Sequence, residues 1–155
     1  MDAFEKFKFD HITVRKLFMQ FKQALQAGDM HQTKRLQQTI FHELKVQRAS
    51  EEDVLHPEAE QVGGEVEDLV GKSKEKYQAV EKLMAEIQEL GINDAEFVAK
   101  MTELIDVVDR RVAEEEQQLL PRLHEAVGDE RLNQVTDQLG QAKRRHSSQQ
   151  GPIDA

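Results

Sequence analysis

The stretch Thr39–Pro57, TIFHELKVQRASEEDVLHP, decides the fold. Its apolar positions step as Leu36, Ile40 and Leu44, and the stripe continues through Gln47, Glu51 and Val54. Steps of three and four keep these residues on one side of a helix, so a glutamine and a glutamate stand where leucines are expected. Val107–Pro121 repeats the layout: Arg111 and Glu115 lie ten and six residues ahead of Pro121, as Gln47 and Glu51 do ahead of Pro57. Two helices thus carry a polar pair at matching depth, and the function is expected to concern that belt.

The rest of the chain supplies partners for these helices. The first predicted helix runs from after Asp2 to about Ala27, with Phe4, Phe7, His11, Val14, Phe18, Phe21 and Leu25 as its inner stripe. Three-and-four spacing without a break is a bundle seam, and His11 is its polar member. The second helix follows Gly28-Asp29 and is expected to end at about Leu55, with Pro57 and Gly63-Gly64 beyond it. The third runs from near Glu65 to Gly91 on Val66, Leu69, Ser73, Tyr77, Val80, Met84 and Ile87. The fourth, capped by Asn93 or Asp94, carries Phe97, Met101, Leu104, Val108, Arg111, Glu115 and Leu119, and Pro121 should kink or terminate it. A shorter piece from Asp129 to about Arg145 has Leu132, Val135 and Leu139 as its apolar side.

Four long helices with short connectors predict an all-α, up-down-up-down four-helix bundle over residues 1–145, with a short C-terminal helix and a disordered tail over 146–155. In that topology His11, Gln47, Glu51, Tyr77 (with Ser73 one turn before it), Arg111 and Glu115 converge on one layer. The other histidines, His31, His42, His56, His124 and His146, fall off the inner stripes and are expected at the surface or boundary. Of the run Glu114-Glu115-Glu116, only Glu115 is expected to point inward.

Composition narrows the function classes. At 155 residues the chain suits one domain, and 33% charged residues with 5% aromatics fit a helix-rich protein. A net charge of −9 argues against nucleic acid as a partner, and the absence of cysteine excludes disulfides and thiolate chemistry. No apolar run approaches a membrane span and the N-terminus lacks a signal-peptide core, so a cytoplasmic location is expected. The partner class left open is another protein. No activated nucleophile or acid–base pair stands out beyond the belt, so the chain reads as a non-enzyme.

Two carboxylates in a bundle core need a cation, either a metal or a basic side chain. Here the sequence resembles the hemerythrin-like (HHE cation-binding) family. Asp10-His11 with Val14-Arg15 is similar to the first-helix DHxxVR signature. Glu43-Leu44 and Glu51-Glu52-Asp53-Val54-Leu55-His56-Pro57 are similar to the second-helix ELxxHxxxEExxLxP. Val112, Glu114-Glu115-Glu116 and Leu119-Leu120-Pro121 resemble the fourth-helix HVxxEExxLxP. The resemblance implies inward histidines on the second, third and fourth helices holding a non-haem di-iron centre that handles oxygen, nitric oxide or iron. At those positions this chain has Gln47, Tyr77 and Arg111, and only His11, Glu51 and Glu115 remain of the implied metal ligands. The expected function is a metal-free binding or regulatory module in which Arg111 takes the electrostatic role of the metals, with no cofactor. The alternative is non-haem iron or another divalent metal on the reduced set His11, Glu51 and Glu115, with oxygen, nitric oxide or iron sensing or storage as its role.

Overall fold

The computed structural model describes residues 1–150, with side chains through Ser148. Six α-helices follow one another: α1 (Ala3–Gln26), α2 (Met30–Ser50), α3 (His56–Val62), α4 (Gly64–Gln88), α5 (Ala95–Glu114) and α6 (Leu120–Gln150). One π turn, Glu51–Leu55, joins α2 to α3, and a second, Glu115–Leu119, joins α5 to α6. α2 and α3 therefore form one continuous rod, as do α5 and the start of α6, and with α1 and α4 they make the expected four-helix bundle.

Aspartates set the helix starts. Asp2 accepts from the Glu5 amide at 2.8 Å and Asp29 from Gln32 at 3.1 Å, and Asp94 accepts from Glu96 at 3.1 Å. Each satisfies a backbone donor that the first turn leaves free.

Pro57, expected with Gly63-Gly64 to end the second helix, does not end it, and Pro121, expected to kink or terminate the fourth, does not terminate it. In an α-helix the proline ring strikes the carbonyl four residues back and removes a hydrogen bond. Ahead of both prolines the backbone widens into a π turn, where His56 N–H bonds to Glu51 O and Leu120 N–H to Glu115 O. The ladder absorbs an extra residue there, and Pro57 and Pro121 each fall in the first turn of the α-helix that follows. The rods break later, at glycines. Gly63 (φ 71°, ψ −164°) ends α3, and Gly128 (φ 83°, ψ 175°) puts a sharp bend into α6. Both conformations are open to glycine and strained for other residues.

Beyond Gly128, α6 turns back and packs on α1, α2 and the first π turn. Leu132, Val135 and Ala142 are its buried side, and Leu139 is half-buried. It does not stop near Arg145: the helix continues to Gln150, with Arg145 and His146 bonded to Asp53 at 3.0 and 2.6 Å. Of the tail expected over 146–155, the first five residues are therefore helical, and 151–155 lie outside the described residues. Glu58 on α3, 6% exposed, takes both Arg131 Nη2 at 2.5 Å and Nε at 3.1 Å, which fixes α6 against the end of the second rod.

The core is in two parts. One holds Val14, Phe18, Phe21, Ile40, Leu44, Tyr77, Val80, Phe97, Met101, Leu104, Val108 and Val112. The other holds Phe7, Leu55, Ala59, Val66, Leu69, Leu119, Leu123, Leu132 and Val135. On each of the four rods the gap between the two clusters is filled by polar side chains: His11 on α1, Gln47 and Glu51 on the second rod, Ser73 on α4, and Arg111 and Glu115 on the fourth. The belt read from the stripes is the layer between the two apolar cores.

Candidate functional site

Arg111 is the centre of the belt. It is 3% exposed, and its Nη2 donates to both oxygens of Glu51, at 2.8 and 2.6 Å. Its Nε donates to Ser73 Oγ at 3.0 Å, and Ser73 in turn donates to Glu115 Oε1 at 2.8 Å. Nη2 also lies 3.4 Å from Glu115 Oε1. One guanidinium thus holds carboxylates from two helices, with the α4 hydroxyl completing the ring. The two glutamates hold equivalent places, each the first residue of a π turn.

His11 closes the ring from α1. Its Nε2 lies 3.4 Å from Glu115 Oε2, and its ring stands edge-on to Phe7 with centroids 5.3 Å apart. Its Nδ1 lies 3.7 Å from Glu116 Oε1, and both atoms are buried without a hydrogen-bond partner. Gln47 faces α1, donating from Nε2 to the Asp10 carbonyl at 3.3 Å.

The sequence placed Tyr77 in this layer, but its ring belongs to the first apolar cluster and its hydroxyl reaches the Leu44 carbonyl at 3.5 Å. Arg48 and Arg111 lie over its face, 4.7 and 5.4 Å from the centroid. Burial, then the nearby Glu81 carboxylate, pushes its phenol up to about 12, so it stays a neutral phenol. Ser73, one turn earlier, is the α4 residue that reaches the carboxylates.

Three further expectations change. His42 and His56, expected at the surface or boundary, are buried, 9% and 6% exposed. Burial, with the charges of Lys74, Arg48 and Arg111, drives the His56 imidazole down to about 4 and keeps it neutral. Glu116 is not solvated: its side chain is 13% exposed, between His11 and Arg15. Glu114 pairs with Lys76 at the α4 edge.

The charges within the belt are interdependent. Burial opposes ionisation of both glutamates, and a single guanidinium offsets it for the pair. Burial dominates at Glu51, whose carboxyl rises to about 7 despite Arg111. At Glu115 burial is outweighed by the charge of Arg111 and by the bonds from His11 and Ser73, and the carboxyl is held low, at about 2. Burial alone would depress His11, but Glu115, Glu116 and Glu51 together hold its imidazole above the ordinary histidine value. Arg111 is likewise raised, since the two carboxylates outweigh its desolvation.

A cleft of about 560 Å³ leads from the surface to this belt, between α1, the end of α2 and the returning half of α6. His11, Gln47, Ser50, Glu51 and Glu115 are at its deep end. On the far side of the carboxylates, the space beside Arg111 and Ser73 has no room for a water molecule.

Among the candidate ligands read from the sequence, His11, Glu51 and Glu115 do meet in one layer, but Arg111 lies among them. Among the described residues, no group of three or more histidine, aspartate and glutamate side chains is arranged to hold a metal ion. No described helix is long and apolar enough to cross a membrane.

The described residues form an all-α four-helix bundle with an inward layer of histidine and paired carboxylates. Residues 2–123 match the hemerythrin HHE cation-binding domain model, and the chain belongs to that family. It is 26% identical over 117 residues to an uncharacterised hemerythrin-like protein of Schizosaccharomyces pombe, an alignment covering 75% of this chain. The chain spans 58% of that relative's length. No solved structure matches.

Proposed function

We infer that this hemerythrin-like bundle is a metal-free binding or regulatory module. The observation that carries the reading is Arg111, which donates to Glu51 at 2.8 and 2.6 Å and sits 3.4 Å from Glu115. A guanidinium cannot give up its charge, and its donors already occupy the oxygens a metal would need. The side chains as arranged do not fit a divalent ion, which would meet Arg111 as a like charge with few oxygens left to offset the repulsion. Gln47, Tyr77 and Arg111 in place of the three implied histidines remove the nitrogen donors that suit iron. With the belt neutralised from within, the cleft above it is the part of the molecule left to bind something.

The test is metal analysis of protein expressed in iron-supplemented medium and purified without chelator. The expected result is substoichiometric metal, whereas one or more tightly held metals per chain would overturn the reading. Converting Gln47, Tyr77 and Arg111 together to histidine is expected to confer iron binding on the same scaffold. The competing reading keeps one divalent metal on His11, Glu51 and Glu115, motivated by the 3.4 Å approach of His11 to Glu115. It requires Arg111 to swing away, and predicts metal-dependent thermal stabilisation that disappears in His11→Ala.

A further inference from the structure

The cleft has an unusual distribution of hydrogen-bonding groups. Arg111 is not part of its lining; it grips the carboxylates from the α4 side, bonded to Ser73. Glu51 and Glu115 therefore face the cleft with their cation behind them. Of the donors beside them, Ser50 donates to the Val46 carbonyl at 2.8 Å and Gln47 to the Asp10 carbonyl at 3.3 Å, and His11 has Nε2 3.4 Å from Glu115 and Nδ1 without a partner. What remains at the deep end is mainly acceptor capacity, since a carboxylate accepts about four hydrogen bonds. Arg111 supplies two to Glu51, and Ser73 supplies one to Glu115.

Phe7, Leu55 and Leu139 supply apolar surface to a lining that also includes Thr136, Gln141 and Arg144. The lysines at the mouth are neutralised, Lys6 by Asp137 at 2.8 Å and Lys143 by Asp10 and Glu43 at 2.9 and 2.8 Å. An anion would meet two buried carboxylates at the deep end, and an apolar tail would desolvate charged oxygens there. An ammonium group brings donors and no acceptor, which suits the carboxylate oxygens on the cleft side. A volume of about 560 Å³ is in the range that small organic ligands fill.

We propose that the cleft binds a small organic cation, a primary ammonium seated on Glu51 and Glu115 with its apolar body against Phe7, Leu55 and Leu139. The proposal rests on the reading that no metal occupies the belt, so metal content is measured on the same sample.

The experiment is calorimetric titration of the purified 155-residue chain with octylamine, octanol and octanoate. A cleft-filling variant, Gly140→Leu, accompanies it. Gly140 lies on α6 in the cleft wall, and an added Cβ there meets only the Arg144 side chain, at an ordinary 3.6 Å. Leucine also favours a helix over glycine, so the variant should fold, as a thermal melt will verify. Octylamine is expected to bind one per chain, with octanol about 10-fold weaker or more for want of the charged hydrogen bonds, and octanoate weaker still. Gly140→Leu should weaken octylamine by about 10-fold or more by occluding the cleft. Equal binding of octanol or octanoate, or octylamine binding untouched by Gly140→Leu, overturns the proposal. A metal-free sample that does not bind octylamine defeats the proposal alone; a sample with stoichiometric metal defeats the metal-free reading and this proposal with it.

Discussion

Replacing Arg111 with methionine removes the charge while keeping most of the volume. The variant loses the two bonds to Glu51, the bond to Ser73 and the 3.4 Å ion pair to Glu115. Glu51 and Glu115 are 8% and 3% exposed, so water cannot replace the guanidinium. Breaking a buried ion cluster by deleting one partner costs about 3–5 kcal/mol, mostly the penalty of the charge left unpaired. For a domain of this size that lowers the melting temperature by roughly 6–20 °C. The cost should depend on pH, because carboxylates without their cation take up protons readily when buried. Urea denaturation at pH 7 and pH 5 is the assay, with a large loss of stability at pH 7 and a smaller one at pH 5. Adding Glu51→Met and Glu115→Met should recover much of the loss, since apolar replacements of whole buried clusters are often tolerated. A near-neutral Arg111→Met at pH 7, or an equal cost at both pH values, would mean that Arg111 does not hold the belt.

Two other perturbations report on separate features. His56 is held down to about 4 when folded and has an ordinary value of 6.5 when unfolded, so the unfolded chain binds the extra proton between those values. Its contribution is full above about pH 6.5 and is lost as pH falls toward 4; His56→Gln should flatten that part of the stability–pH curve, and an unchanged slope would refute it. Gly128→Ala forces a Cβ into φ 83°, ψ 175°, and should cost about 1–3 kcal/mol by thermal melt, even though no neighbour obstructs the added carbon. A cost near zero would show that the bend in α6 relaxes freely.

Much of this molecule was legible as periodicity. Unbroken steps of three and four gave the four rods, and polar residues interrupting those steps gave the belt with His11, Gln47, Glu51, Arg111 and Glu115 in it. What was misread departs from α-helical periodicity. Pro57 and Pro121 read as breaks because the π turns that accommodate them leave no mark in a stripe of period 3.6. His56 was misplaced for the same reason: five residues beyond Glu51 is a different face of an α-helix, but a π turn carries it round to the interior. Ser73 and Tyr77 were indistinguishable by spacing, being one turn apart on one stripe. Which of them meets the carboxylates depends on the height of α4 against α5, and no single helix encodes that. The last turns of α6 are tied down by Arg145 and His146 on Asp53, a polar contact with no hydrophobic pattern to announce it.

The paired π turns have a consequence for how this chain can change. Each carries one residue more than an α turn, so the rod beyond it is rotated by about 100° from where an unbroken α-helix would aim it. Both turns begin at the belt glutamates and lead into the second apolar cluster, through Leu55 and Ala59 on one rod and Leu119 and Leu123 on the other. The two ends of the bundle are thus phased independently. Deleting one residue within Glu52–Val54 or Glu116–Gln118 would let the π turn close toward an α turn and keep the second cluster in phase, whereas inserting one would turn its side chains away from their partners by about 100°. These short stretches are therefore more open to losing one residue than to gaining one.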